Sequence, residues 1–264
     1  MARLNPNQTV PLSTGRPIPL IGFGTWELQG DKAYDGVRSA LETGYRHIDT
    51  ATGYENEDRV GTAVRDSGLD RDDVFITTKC PPERAGRELE TLDSSLSLLG
   101  VEFVDLWLVH WPPKGKARPD TWRGFIDALQ LGKAKAIGVS NYSVDQIDEL
   151  VAATGQAPAV NQIPWSPFSY DPELARALAA RSVVLEGYSP LKRSRLGDPT
   201  LMEIAGAHGK TPAQVVLRWH LEHEFVVIPR SSRRERIEEN FALYDFELSE
   251  ADIARIDALS SWSR

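Results

Sequence analysis

Asp49, Tyr54, Lys79 and His110 each fall at, or a few residues beyond, the C-terminal end of a short apolar run. Together they supply an anion, a proton donor, a cation and a hydrogen-bonding ring. A phenol titrates near about 10, so Tyr54 is a weak acid at neutral pH unless a cation stabilises its phenolate. Lys79 can be that cation. A useful shift of about two pH units asks roughly 3 kcal/mol of the site. A lysine at a partly buried strand end needs a counter-charge, or desolvation strips its proton, and Asp49 can supply it. His110, kept neutral by a nearby cation, can hydrogen-bond a carbonyl oxygen and orient it. Taken singly, each has a plainer reading: a cap or turn for Asp49, amphipathic core for Tyr54, a solvated rim charge for Lys79, a bonded core imidazole for His110. His47 reads as structural, one layer deeper in the same interior.

The elements that must position these groups are short and recurrent. Apolar, β-branched runs occur at 19–22, 45–49, 74–79, 104–109, 136–140, 159–162, 183–188 and 225–229, with starts 23 to 42 residues apart. Each interval has room for a helix and two loops. Apolar residues at helical spacing predict helices over 31–43 (Ala33, Val37, Ala40, Leu41) and 85–99 (Leu89, Leu92, Leu96, Leu99). Ser143, Thr211-Pro212 and Ser249 mark the starts of helices over 144–153, 213–221 and close to the C-terminus. Eight alternations predict an α/β fold, a (β/α)8 TIM barrel occupying 1–264 as a single domain. The competitor is a doubly wound open sheet, which usually carries a G-x-G-x-x-G turn; Gly22-Phe23-Gly24 lacks the third glycine. Ahead of the first strand, Gln8-Thr9-Val10 and Arg16-Pro17-Ile18 flank Ser13-Thr14-Gly15, which predicts an N-terminal β-hairpin capping the barrel bottom.

Composition narrows the partners. With 41% hydrophobic and 26% charged residues the chain is ordinary globular protein, not disordered or low-complexity. Cys80 is the single cysteine, so there is no internal disulfide, and a reducing cytoplasm is expected. A net charge of −8 argues against nucleic acid or anionic membrane as a bulk partner. The start is polar and broken by Pro6 and Pro11, unlike a signal peptide, and the most apolar stretch, 103–111, contains Asp105 and is far too short for a bilayer. No metal site is expected. A monomer is the expected state because a barrel is self-sufficient.

Gly22-Phe23-Gly24-Thr25-Trp26, Arg46-His47-Ile48-Asp49-Thr50-Ala51 running on to Tyr54-Glu55-Asn56-Glu57, Thr78-Lys79 and Leu108-Val109-His110-Trp111-Pro112 together resemble the aldo-keto reductase family, in its short prokaryotic form. The resemblance is in register over nearly the whole chain. It implies a (β/α)8 barrel that reduces aldehydes and ketones with NADPH. By it, Tyr54 is the general acid, Lys79 lowers its pKa, Asp49 holds Lys79 and His110 positions the substrate. Gly24, Thr25 and Trp26 fall to the cofactor side. Ser140, Asn141 and Gln162 would bond the nicotinamide carboxamide, which needs donors and acceptors alike. Tyr188 would stack on the ring, with Ser189 and Leu191 beside it. From the residues alone, Ser140-Asn141 reads equally as a helix cap and Ser189-Pro190 as a turn.

Beyond the last strand, Arg230, Arg233, Arg234 and Arg236 cluster at a predicted helix start in an otherwise acidic chain. That is an anion site or a solvated basic helix start. The resemblance makes Arg230, Ser231 and Arg236 contacts for the adenosine 2′-phosphate, and Glu239 and Asn240 contacts for adenine. Arg230 stands where the family usually has lysine, which keeps NADPH preferred and leaves NADH use open. The expected activity is reduction of a small-molecule carbonyl by hydride transfer with proton transfer from Tyr54, the reverse alcohol oxidation being possible. The alternatives are a catalytically weak NADPH-binding regulatory barrel and a Schiff-base lyase using Lys79. Trp26, Tyr54, His110 and Trp111 are the expected substrate rim, suiting aromatic or medium aliphatic carbonyls, with Lys114, Lys116 and Arg118 as an alternative pull toward carboxylates. Short segments after His110 and Leu191 predict an open, promiscuous pocket. Trp107, Trp122, Trp165, Trp219 and Trp262 are not assigned by periodicity.

Overall fold

The computed structural model describes residues 4–260. Thr9–Val10 (β1) and Ile18–Pro19 (β2) pair antiparallel, the expected hairpin. Eight parallel strands follow: β3 (Phe23–Gly24), β4 (His47–Asp49), β5 (Phe75–Cys80), β6 (Val104–Val109), β7 (Ala134–Ser140), β8 (Val160–Pro164), β9 (Val184–Tyr188) and β10 (Val226–Ile228). Each neighbours the next in sequence order. The sheet closes where Val227 N donates to Leu20 O at 2.9 Å, Gly22 N to Val227 O at 2.9 Å and Gly24 N to Pro229 O at 3.1 Å. This is the (β/α)8 barrel.

Helices α1 (Asp31–Thr43), α2 (Glu57–Asp66), α3 (Glu88–Leu99), α4 (Pro119–Gln130), α5 (Val144–Thr154), α6 (Pro172–Ala179), α7 (Pro199–His208), α8 (Pro212–Glu222), α9 (Arg234–Phe241) and α10 (Glu250–Asp257) complete the described chain. Ser143, Thr211 and Ser249 form capping boxes with Gln146, Gln214 and Asp252, as the start signals implied. Two readings shift. The first barrel strand lies at 23–24 and not at 19–22, because Pro19 belongs to the hairpin, the Leu20 amide still donates back to Gln8 O, and Leu20 O and Gly22 N bond toward β10 and not toward β4. The longest interval holds α7 as well as α8; Asp198 caps α7 and Pro199 opens it, a start signal that apolar periodicity does not register.

Trp107, Trp122, Trp165 and Trp219 are all core, with Trp107 stacked on Phe125 at 3.7 Å between centroids; Trp262 lies outside the described residues. At the barrel bottom, Asp105 on β6 is buried between two guanidinium groups and one backbone amide. Arg16 Nε from the hairpin approaches at 2.7 Å, Arg71 Nη2 at 2.8 Å and the Ile76 amide at 2.8 Å. Asp105→Asn keeps the volume and discards the charge that two guanidinium groups face, so it should lower unfolding free energy by about 2–3 kcal/mol. Urea titration checks this; a change below about 0.5 kcal/mol would mean that the hairpin needs no such anchor.

Candidate active site

Side-chain alternation sends His47 and Asp49 of β4, and Thr77 and Lys79 of β5, into the barrel, while Thr78 faces outward. Lys79 Nζ donates to Asp49 Oδ1 at 2.6 Å and to Thr50 O at 2.9 Å, in a site closed to solvent. The other Asp49 oxygen accepts from Gln162 Nε2 of β8 at 2.8 Å. Tyr54 hangs from the turn Thr52–Tyr54 that follows β4, with Oη 3.5 Å from Lys79 Nζ. His110, just past β6, presents its ring edge-on to Tyr54 with centroids 5.6 Å apart. Four residues from three separate stretches of the sequence thus meet at the top of β4, β5 and β6.

Their charge states follow from burial and from one another. Burial opposes the charge on Lys79, but Asp49 and Tyr54 outweigh it and lift the ammonium above its usual range. Burial also lifts the Tyr54 phenol, and Lys79 pulls it down only in part. The net direction is upward, opposite to the lowering expected from the cation alone, so the phenol keeps its proton at neutral pH. Burial, then Lys79, bring His110 down to about 3, which leaves a neutral imidazole.

A second polar layer lies beneath. His47 Nε2 faces Thr77 Oγ1 at 3.0 Å and Glu186 Oε1 at 3.7 Å. Glu186, on β9, is fully buried, and neither of its oxygens has a hydrogen-bond partner. Burial and the Asp49 charge push it up to about 8. The sequence carries a signal for it, an acid in the middle of the apolar run 183–188.

A cleft of about 830 Å³ opens above these groups. Gly24, Trp26, Asp49, Tyr54, His110 and Trp111 line it, together with Ser140, Asn141, Gln162, Tyr188, Ser189, Leu191 and Arg230. Lys192 and Arg193 join them, and Lys192 Nζ sits 4.9 Å over the Trp26 ring. Trp26 and Trp111 are 43% and 49% exposed at the rim. Asn141 and Ser189 hold φ of 64° and 54°, left-handed conformations that non-glycine residues adopt rarely and that concentrate at functional sites. Asn141 Nδ2 donates to His110 O and Ser140 Oγ, while its oxygen accepts from Tyr188 Oη at 3.0 Å.

The other expected residues, and Arg230 within the lining, are engaged with protein partners. Thr25 is buried and its hydroxyl donates to Asp49 O. Arg230 pairs with Glu27, Arg234 with Glu42 and Glu238, and Arg236 with Glu239 at 2.6 Å. Glu239 also accepts from Thr211 Oγ1 at 2.8 Å, and Asn240 is nearly buried. The Ser231 hydroxyl accepts from the Arg233 amide, and α9 has no side-chain N-cap. Asn56 and Glu57 belong to the motif that follows Asp49, and the sequence alone gives them no role. In the structure the Asn56 amide donates to Thr25 O and Leu28 O and accepts from Thr50 Oγ1, pinning two loops to β4.

The arrangement suits a long ligand with an amide-bearing ring at one end and phosphates at the other. Gln162 spends its nitrogen on Asp49 and keeps its oxygen as an acceptor. At Gly24 a Cβ would come within 3.2 Å of Ile228 O, so the bare backbone keeps the β3 and β10 ends close. The uncapped start of α9 with its arginines favours an anion.

The aldo/keto reductase family model matches residues 20–261. Glyoxal reductase of Bacillus subtilis is 41% identical over 260 residues, covering 97% of this chain and 94% of that protein. The crystal structure of an aldo/keto reductase from Brucella melitensis superposes with a TM-score of 0.93 at 41% identity, covering 98% of this chain and 99% of that one. That of a Bombyx mori aldo-keto reductase in complex with NADP gives a TM-score of 0.90 at 31% identity, covering 97% and 94%.

Glu186 generates a pH-dependent expectation. Its folded pKa is raised, so its contribution is intact below its ordinary value and is lost as pH rises toward and through about 8. Glu186→Gln mimics the protonated acid and escapes that loss. Its stability relative to the parent should rise with pH, by at most roughly 1.4 kcal/mol per unit, between about pH 5 and 8. Urea unfolding of both proteins at pH 5.5, 7 and 8.5 checks this, and parallel pH curves would contradict it.

Proposed function

The chain belongs to the aldo/keto reductase family, whose members are oxidoreductases acting on carbonyl and alcohol groups, and we propose that it reduces small aldehydes and ketones with NADPH. The observation that carries this reading is the chain from Asp49 through Lys79 to Tyr54, opening on a cleft beside a neutral His110. Bound NADPH supplies the hydride. Tyr54 Oη, protonated at neutral pH, gives its proton to the substrate oxygen as negative charge develops there. Lys79 stabilises the phenolate left behind, and Asp49, braced by Gln162, keeps Lys79 charged and in place. His110 contributes a hydrogen bond that orients the carbonyl.

Ser140, Asn141 and Gln162 would hold the carboxamide, Tyr188 the face of the ring, and Ser189 and Leu191 the segment beyond. The start of α9 would take the 2′-phosphate through Arg230, Ser231 and Arg236, with Glu239 and Asn240 toward adenine. Each of those two arginines already faces a glutamate, so binding exchanges one anion for another. Trp26 and Trp111 present exposed aromatic faces to an incoming carbonyl compound. A Schiff-base role for Lys79 is disfavoured by the same bonds: that chemistry needs a neutral amine, and Asp49 holds the ammonium charged.

Cofactor absorbance, followed with a panel of aldehydes, tests the reading. Tyr54→Phe should lose about a hundred- to ten-thousand-fold in kcat with NADPH affinity unchanged. NADPH binding without turnover on any substrate would point to a regulatory barrel. Arg236→Ala should weaken NADPH roughly 10- to 100-fold and leave NADH little changed, measured by fluorescence titration; equal losses for both would remove the 2′-phosphate assignment.

A further inference from the structure

Glu57 is the first residue of α2, nearly inaccessible, and no basic side chain lies within ion-pair distance of it among the described residues. A buried carboxylate without a counter-ion is costly to keep, so its partners are informative. All of them are hydroxyls. Oε1 accepts from Thr78 Oγ1 at 2.5 Å and Oε2 from Ser95 Oγ of α3 at 3.1 Å. Ser95 Oγ is itself 3.1 Å from Thr52 Oγ1, and with its own hydrogen given to Glu57 it must accept from Thr52. The donors therefore run Thr52 to Ser95 to Glu57 from one side and Thr78 to Glu57 from the other, a chain polarised toward one carboxylate.

The two ends of that chain are not arbitrary. Thr52 opens the three-residue turn that ends on Tyr54, and Thr78 is the residue before Lys79 on β5. The carboxylate itself is firmly seated. One turn along α2, a Cβ at Gly61 would stand 2.1 Å from Leu99 O, so only glycine lets α2 lie this close to the end of α3. On the other flank Asn56 pins the chain to Thr25 and Leu28, and Gln29 Nε2 holds the Tyr54 carbonyl at 2.7 Å.

We propose that Glu57 is a positioning residue: through Thr78 and through Ser95 and Thr52 it ties the strand bearing Lys79 to the turn bearing Tyr54, and so sets the approach of the phenol to the ammonium. This rests on the reading of Tyr54 and Lys79 as the proton-transfer pair. Cutting the tether lets the turn drift, Lys79 stabilises the phenolate less, and the rate of proton transfer falls while the cofactor cleft stays intact.

Ser95→Ala cuts the chain without altering charge, Thr52→Val cuts it at the turn, and Glu57→Gln replaces the shared acceptor with a group of the same shape. Each is assayed beside Tyr54→Phe with NADPH and one aldehyde. The expected result is a kcat about tenfold lower, KM and NADPH affinity within about twofold of the parent, and, for Ser95→Ala, a basic limb of the kcat–pH profile displaced to higher pH. Ser95→Ala combined with Thr52→Val should cost no more than either alone, because both cut one tether. Parent-like kcat and pH profile in Ser95→Ala and Glu57→Gln, with Tyr54→Phe inactive, would overturn the positioning role and leave the proton-transfer reading standing. A lowered unfolding temperature with unchanged kcat in the folded fraction would also overturn it, in favour of a purely structural Glu57. Turnover retained by Tyr54→Phe would instead remove the underlying reading.

Discussion

The ion pair between Asp49 and Lys79 is the constraint around which the upper half of the barrel is arranged. Two opposite charges closed to solvent are tolerated only when their remaining hydrogen-bonding capacity is filled. Gln162 fills it for Asp49, and Thr50 O for Lys79. Those partners come from β4, β5 and β8, so the pair holds only if these strands keep their register. A slip of one residue would turn Lys79 outward and leave Asp49 buried alone. Closure of the sheet through residues 20–24 keeps the strands in place.

Much of this is legible in the chain because it is local or periodic. Helix α1 spans 31–43 as its apolar spacing indicates, and the capping pairs at Ser143, Thr211 and Ser249 lie three residues apart in sequence. Asp49, Lys79 and His110 are visible because a barrel puts the ends of its strands at one face. Roles decided by contacts between distant segments are not visible in this way. Glu57 meets Thr78 and Ser95 across 21 and 38 positions, and nothing in its neighbourhood in sequence names them. The direction of the Tyr54 shift is of the same kind: the cation is readable, but how far burial outweighs it depends on the packed site. The bounds of the first barrel strand are not legible either, because an apolar run carries no record of which neighbour it bonds.

Four buried carboxylates show how one functional group takes on different work through its partners. Asp105, clasped by Arg16 and Arg71 at the bottom, faces two cations and one amide and ties the hairpin and the segment before β5 to the barrel. Asp49 faces a single lysine that has a second neighbour in Tyr54, so its charge is transmitted to a titrating group. Glu57 meets hydroxyls alone, which fix geometry and carry no net charge. Glu186 has no cation in contact, its neighbour His47 being neutral, and answers by keeping its proton. A second ionised acid beside Asp49 would leave Lys79 shared between two anions, and the phenolate that must lean on Lys79 would lose its support. The neutral state of Glu186 is therefore part of the same electrostatic balance that lets one lysine serve one aspartate and one tyrosine.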